Sequence, residues 1–487
     1  MDVQHVDVII VGAGLSGIGA AYRLQEQCPT KTYAILESRA AIGGTWDLFR
    51  YPGIRSDSDM FTLSFPFKPW TNAKSIADGD DIRQYIHDAA HEFGIEQNIR
   101  FGHRVTHASW SSDDARWTVT STVDGESVVQ TASFLYLCSG YYSYDTGFTP
   151  DFPGRDDFEG QVVHPQFWPE DLDYAGKRVV VIGSGATAVT LIPSMADDVE
   201  HITMLQRSPT YITTLPAEDA IAPILRKVLP AGLAHRAIRR KNAMVAIGFY
   251  VFCRRFPELA KKVLLGRAKK QLPDGADMKH FTPRYDPWDQ RLCIVPNGDL
   301  FRSIRKGQAS IVTDTIAGFT ADGVQLDSGQ HLDADIVVTA TGLQVVALGQ
   351  IEFEVDGRAI DAHDLYVYKG LMFSGMPNFA WCVGYTNASW TLRADLSSQY
   401  VCRLINHLDA KGVDYGMPDP RGASGEAAPI LDLTSGYVTR VAGLLPQQGA
   451  SSPWTIRQNW LLDSRDMKKT DLDQEMVFGR ASVAAHV

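Results

Sequence analysis

The chain contains the same kind of turn twice. Residues Val6 to Val11, Val-Asp-Val-Ile-Ile-Val, lead into Gly12-Ala-Gly14-Leu-Ser16-Gly17 and then a helical pattern from Ile18 to about Gln27. Residues Arg178 to Ile182 lead into Gly183-Ser184-Gly185-Ala186-Thr187-Ala188. A short apolar run rich in β-branched residues, a glycine turn and a helix, in that order, form the start of a dinucleotide-binding unit. Gly12 permits the tight turn, Gly14 lets backbone approach a pyrophosphate, and Gly17 lets helix and strand pack closely. Ala188 stands where the third glycine of the second turn would be. A chain of 487 residues is too long for one core. The expected fold class is therefore α/β, with two Rossmann-like domains.

The second strand of each unit separates the two nucleotides. Tyr33 to Leu36 ends at Glu37, twenty residues past Gly17, where a carboxylate accepts the hydroxyls of an adenosine ribose. Ile202 to Leu205 ends instead in Gln206, Arg207 and Ser208. A guanidinium beside a hydroxyl suits a 2′-phosphate. The first site is therefore expected to hold FAD, with backbone at Val105 at the adenine edge, and the second NADP(H). Flavin and nicotinamide in one chain imply hydride transfer between them.

Each unit closes on a meander and a short apolar strand. The first ends at Ser139-Gly140, the second at Ala340-Thr-Gly342. The segment after Leu343 shows no independent unit and is expected to complete the first. The expected division is an FAD-binding domain of 1–145 and 343–487, and an NADP-binding domain of 146–342. A helical insertion and active-site segment occupy 216–298. Ile42 to Asp57 is too rich in Gly, Pro and aromatics for helix or strand and is expected to shape the ligand site. Met417 to Pro429 reads as a surface loop.

Composition narrows the function. The net charge of −11 argues against nucleic acid. The first residues lead straight into a strand, so a cytoplasmic location is expected. Six widely spaced cysteines show no pair at redox or metal spacing, and no metal site is expected. Without a cysteine pair beside the flavin or an iron–sulfur outlet, oxygen remains as electron acceptor. One segment departs from the overall charge: residues 221–272 carry thirteen Lys or Arg against Glu258 alone. Two readings stay open for it, a solvated basic face covering the active site and a peripheral contact with an anionic membrane.

Phe158-x-Gly160-x-x-x-His164-x-x-x-Trp168-Pro169 and Gly43-Gly44-x-Trp46-x-x-x-x-Tyr51-Pro52-Gly53-x-x-x-Asp57 together resemble the class B flavoprotein monooxygenases of the Baeyer–Villiger type. The likeness runs over essentially the whole chain and is tightest to the ethionamide-activating mycobacterial branch. It implies that NADPH reduces FAD, that oxygen adds at the flavin C4a, and that the resulting peroxyflavin converts ketones to esters or lactones. Sulfoxidation of thioether or thioamide compounds is implied as a side activity. Arg291 matches the family's catalytic cation and Asp57 the carboxylate that orients it. Gly44, Thr45, Trp46, Asp47, Leu48, Arg55, Ser56 and Asp57 are implied to meet the cofactor. Many relatives carry Lys before the catalytic Arg, but Gln290 stands here, so the preference for NADPH rests more on Arg207 and Ser208. A flavin N- or S-oxygenase without ketone rearrangement, and an NADPH oxidase or reductase, stay open as alternatives. His164 and Trp168 fall between the two nucleotide units and are expected to couple NADP(H) binding to domain placement.

Overall fold

The computed structural model describes residues 3–423, 427–430 and 434–482. Strand Gln4–Val11 lies inside the larger sheet, parallel to Tyr33–Leu36 on one side and to Glu126–Leu137 on the other. Val8, Ile9 and Ile10 are at most 1% exposed, which explains why this strand reads as a continuous apolar run rather than an alternation. Arg104–Ser111, Arg116–Val123 and Glu126–Leu137 form an antiparallel meander. Its second turn is Asp124-Gly125, with φ of 49° and 85°, the left-handed pair that a two-residue hairpin requires. Strands Glu352–Val355, Arg358–Ile360 and Phe379–Trp381 also belong to this sheet, and helix Trp390–Lys411 packs on helix Leu15–Gln27. The late part of the chain thus completes a sheet begun by the first residues.

The smaller sheet is wholly parallel, in the order Ala309–Thr313, His201–Gln206, Arg178–Ile182, Ile336–Thr339 and Gln161–Val163. One face packs on helices Ala186–Met195 and Asp299–Arg305, the other on the hairpin strands Ile316–Thr320, Gly323–Leu326 and His331–Asp333. The Phe158 to Pro169 segment is therefore more than a connector, because Gln161–Val163 is an edge strand of this sheet. Phe158 is buried against Phe319, and a side chain at Gly160 would meet the Asp335 carbonyl at 2.4 Å.

The chain passes between the sheets along Tyr142–Gly147 and Leu343–Val345, which pair antiparallel. His164 packs on this pair: a Cβ at Gly147 would stand 2.0 Å from its Cε1. Its Nδ1 accepts from Gln166 N at 3.2 Å, while Gln166 Nε2 donates to the Ser143 carbonyl at 2.9 Å. Burial holds the His164 pKa below its ordinary value, against the opposing pull of the Gly342 and Phe148 carbonyls.

Two sequence expectations need correction. Thr45–Leu48 forms one helical turn inside the segment expected to be irregular, started by the left-handed Gly44 (φ 56°). Residues 417–418 belong to strand Tyr415–Pro418, paired with Met476–Gly479, rather than to a loop; residues 424–426 of that expected loop lie outside the described residues.

The insertion forms helices Ala222–Val228, Ala231–Arg255 and Pro257–Lys269. Arg239 is buried and donates to the carbonyls of Phe61, Thr62 and Ser64, so the long helix is anchored on the larger sheet's unit. His235, one turn earlier, is 6% exposed, and its pKa is pushed down to about 4 by burial and then by Arg239 and Arg226. The unfolded chain therefore binds a proton that the native ring refuses. Stability is complete above about pH 6.5 and falls as the pH drops toward 4. Moving from pH 7 to pH 5 is expected to cost on the order of 2 kcal/mol, with His235→Gln flattening this part of the profile. Urea unfolding at the two pH values checks it; equal slopes for both proteins would remove His235 as the cause.

Candidate active site

A cavity of 1110 Å³ runs between the two glycine turns. Gly12, Gly14, Ser16, Glu37, Gly44, Thr45, Trp46, Arg55, Asp57 and Val105 line it from the first unit. Gly183, Ser184, Gly185, Ala186, Thr187, Arg207, Ser208 and Arg291 line it from the second.

The wall fits a dinucleotide at each end. At the first turn Gly12 has φ of 104°, and Gly14 lies close enough to Gly44 that a Cβ there would touch its Cα at 3.5 Å. Glu37 is buried, and its carboxylate accepts from Ala13 N at 2.7 Å and Arg39 N at 2.9 Å. Burial nevertheless raises its pKa, against the lowering effect of the hydrogen bonds from Ala13, Arg39 and Ser38. Nη2 of Arg55 and Oγ of Ser139 are buried in the same wall with no hydrogen-bond partner among the described residues. Such groups are costly unless a ligand completes them. At the second turn a Cβ on Gly185 would meet nothing within 4 Å, leaving room for a pyrophosphate over the start of helix Ala186–Met195.

Arg291 and Asp57 meet in an ion pair inside this cavity, each less than half exposed. Asp286 and Asp289, nearer in sequence, pair instead with Lys261 and Arg254. Behind the pair, Cys293 is buried and its thiol pushed up to about 12 by burial, with Arg291 lowering and Asp57 raising it.

The Gly43 to Asp57 segment also joins the two units. The Tyr51 hydroxyl shares a hydrogen bond with Thr187, and burial pushes it up to about 12. A Cβ at Gly53 would collide with Ser194 Oγ at 1.8 Å. Arg55 Nη1 bonds Asp299 at 2.5 Å. This segment therefore sets the distance between the nucleotide turns as well as shaping the ligand space.

Several expected residues stand outside the cavity wall. Gly17 is taken up by helix packing, and Ala188 is buried in the second core. Asp47 turns away to pair with Arg39 at 2.6 Å and Arg50 at 2.7 Å, and Leu48 packs into the second core. Ser56 Oγ accepts from Ala77 N. These residues support the wall from behind. Phe158, Gly160, His164, Trp168 and Pro169 are likewise outside it, with Trp168 against Tyr174.

Sequence reasoning missed Arg440, which lines the cavity with its guanidinium carbon 3.3 Å from the centre of the Phe148 ring. Burial first, and then Arg207, push its pKa down. Two guanidiniums facing one space repel unless an anion stands between them. Arg440 lies in the loop-rich tail, far in sequence from Arg207 and Arg291, and no local pattern marked it; the tail simply returns here. Arg207→Ala is expected to raise KM for NADPH about 10- to 100-fold and leave NADH kinetics unchanged. Parallel steady-state runs with the two nucleotides check this, and equal losses would mean that Arg207 only holds the fold.

Wide cysteine spacing also concealed two contacts. Cys138 and Cys382 share a hydrogen bond in the core, as do Cys28 and Cys402, with all four buried. The first pair lies at the first glycine turn, where a Cβ on Gly12 would meet the Cys138 carbonyl, and not beside Arg291.

Residues 54–223 match the family of flavin-binding monooxygenase-like proteins, and residues 10–78 match an NAD(P)-binding Rossmann-like domain. The FAD-containing monooxygenase EthA of Mycolicibacterium smegmatis is 54% identical over 99% of both chains. Its namesake from Mycobacterium tuberculosis is 52% identical over 97% of both. Among solved structures, an oxidized steroid monooxygenase bound to NADP matches with a TM-score of 0.77 at 24% identity, covering 98% of this chain and 100% of that one, which establishes a shared fold. With both glycine turns opening on one cavity, the chain belongs to the FAD-containing, flavin-binding monooxygenases.

Proposed function

We propose that this enzyme is a Baeyer–Villiger monooxygenase that converts ketones to esters or lactones, with sulfoxidation of thioether or thioamide compounds as a second activity. The observation that carries the reading is the Arg291–Asp57 pair in the wall of a cavity shared by both nucleotide turns. We take 1–145 with 343–487 as the FAD domain and 146–342 as the NADP domain. Glu37, the Gly12 to Gly17 turn and Arg55 would hold FAD; the Gly183 to Ala188 turn, Arg207, Ser208 and Arg440 would hold NADP(H). Bound FAD, reduced by NADPH, supplies the activation of oxygen.

The chemistry asked of the protein is then limited. One oxygen atom enters the bond between the carbonyl carbon and its neighbour, the other leaves as water, and NADPH supplies the two electrons. Negative charge gathers on the former carbonyl oxygen before that bond migrates. An always-charged guanidinium suits that oxygen, and Asp57 keeps it aimed. Aromatic walls from Trp46, Tyr142 and Trp390 keep water away. His164, on the strand pair that joins the units, would tie NADP(H) binding to their placement; His164→Ala should then lower the product formed per NADPH consumed, and unchanged coupling would count against that role.

Product analysis tests the reading. A panel of linear, cyclic and aromatic ketones, with NADPH and oxygen, should yield esters or lactones. Sulfoxides from sulfides without any ester would make the enzyme an S-oxygenase, and hydrogen peroxide as sole product would make it an oxidase.

A further inference from the structure

We propose that the outer face of the helices Ala222–Val228, Ala231–Arg255 and Pro257–Lys269 is a docking surface for an anionic lipid bilayer. Among the described residues, seventeen large hydrophobic side chains are exposed, and ten of them fall between Ile221 and Val263. Scattered single apolar residues are ordinary, but such concentration in one short segment marks an interaction surface. Val228, Leu233, Met244, Val251, Phe256 and Leu259 are each at least 42% exposed.

The pattern along the longest helix is regular. Leu233, Arg236, Arg240, Met244, Gly248, Val251 and Arg255 are exposed at spacings of three and four, so they share one stripe. The opposite stripe, including His235, Ile238, Arg239 and Cys253, is buried. The stripe that faces out therefore mixes apolar and cationic side chains over about 33 Å.

Of the thirteen cations of this segment, five are engaged by the protein itself. Arg226 donates to the Trp70 and Thr71 carbonyls, Arg239 is buried, and Lys241, Arg254 and Lys261 pair with carboxylates. The other eight, Arg236, Arg240 and Arg255 among them, have no ion pair among the described residues. A chain with net charge −11 has thus gathered unpaired positive charge around its exposed aliphatic side chains.

The chemistry selects the partner. Nucleic acid would use the cations and leave Leu233, Met244 and Val251 without a function. A second copy would bring like charges together across a symmetric contact. A bilayer surface answers both features at once, because aliphatic side chains enter the headgroup boundary while Lys and Arg meet lipid phosphates. No helix among the described residues is long and apolar enough to cross a membrane, so the contact lies in the plane of the surface.

Sedimentation of the FAD-loaded enzyme with lipid vesicles tests the proposal. Binding to equimolar phosphatidylglycerol and phosphatidylcholine vesicles should be at least about tenfold stronger than to phosphatidylcholine alone, and should weaken about tenfold in about 0.5 M NaCl. Arg240→Glu with Arg255→Glu should reduce partitioning by about thirtyfold, and Met244→Ser with Val251→Ser by about tenfold. All four side chains are exposed, and unchanged flavin content verifies that the variants fold. Absence of binding, equal binding to both vesicle types, or wild-type binding by the double variants would overturn the proposal. So would sedimentation velocity showing that the face joins two copies of the chain and leaves vesicles unbound.

Discussion

Arg291→Ala should reduce its flavin with NADPH at the wild-type rate and yet form oxygenated product about 10²–10³ times more slowly. The split follows from position. Arg291 lines the cavity in an ion pair with Asp57 and belongs to neither glycine turn. What it contributes is a fixed cation where negative charge develops on the substrate. A donor of that kind acts in the transition state and has little effect on the ground state. Arg291→Lys should recover only part of the loss, because an ammonium cannot hold Asp57 and a second oxygen in one plane. Rapid mixing that follows flavin reduction and product separately checks the prediction. Normal product formation by Arg291→Ala would take the residue out of the reaction.

Gly17→Ala should abolish FAD retention. A methyl group there would stand 1.9 Å from the Gly12 carbonyl oxygen, which is fixed by the turn and cannot withdraw. Either the helix Leu15–Gln27 moves off the strand or the turn opens, and both spoil the cradle. The expected loss is on the order of 3 kcal/mol, with apoprotein recovered from expression. The comparison lies within the same chain. Ala188 occupies the equivalent place in the second turn and is fully buried without penalty, so Ala188→Gly should cost only about 1 kcal/mol and leave flavin content intact. Flavin absorbance per protein and thermal unfolding distinguish the outcomes; a Gly17→Ala protein that keeps its flavin would show that the turn can relax.

Much of the fold was legible because its signals are local. Strand Gln4–Val11, the glycine turn and helix Leu15–Gln27 are adjacent in sequence, Gly12 takes a positive φ of 104°, and Gly17 lies against the Gly12 carbonyl. The Asp124-Gly125 turn carries its signal in the same local way. The Thr45–Leu48 turn could not, since its glycine-rich flanks argued against helix while the left-handed Gly44 starts one. In the site, Glu37 and Arg207 were found from their distance to a turn. Asp57 and Arg291 were paired through family likeness, and the fold places them in contact.

By itself the sequence determined the two glycine turns and the buried parallel strands that lead into them, because hydrophobic period and turn chemistry act over a handful of residues. Only the tertiary structure decided which distant groups share a wall. It brought Arg440 beside Arg207, joined Cys138 to Cys382, docked Gly53 on Ser194 and turned Asp47 away from the cavity toward Arg39 and Arg50. It also sorted the basic insertion into cations used inside the protein and cations left facing out. Each of these depends on chain return and close packing, which place side chains by the summed burial of whole elements rather than by spacing along the chain.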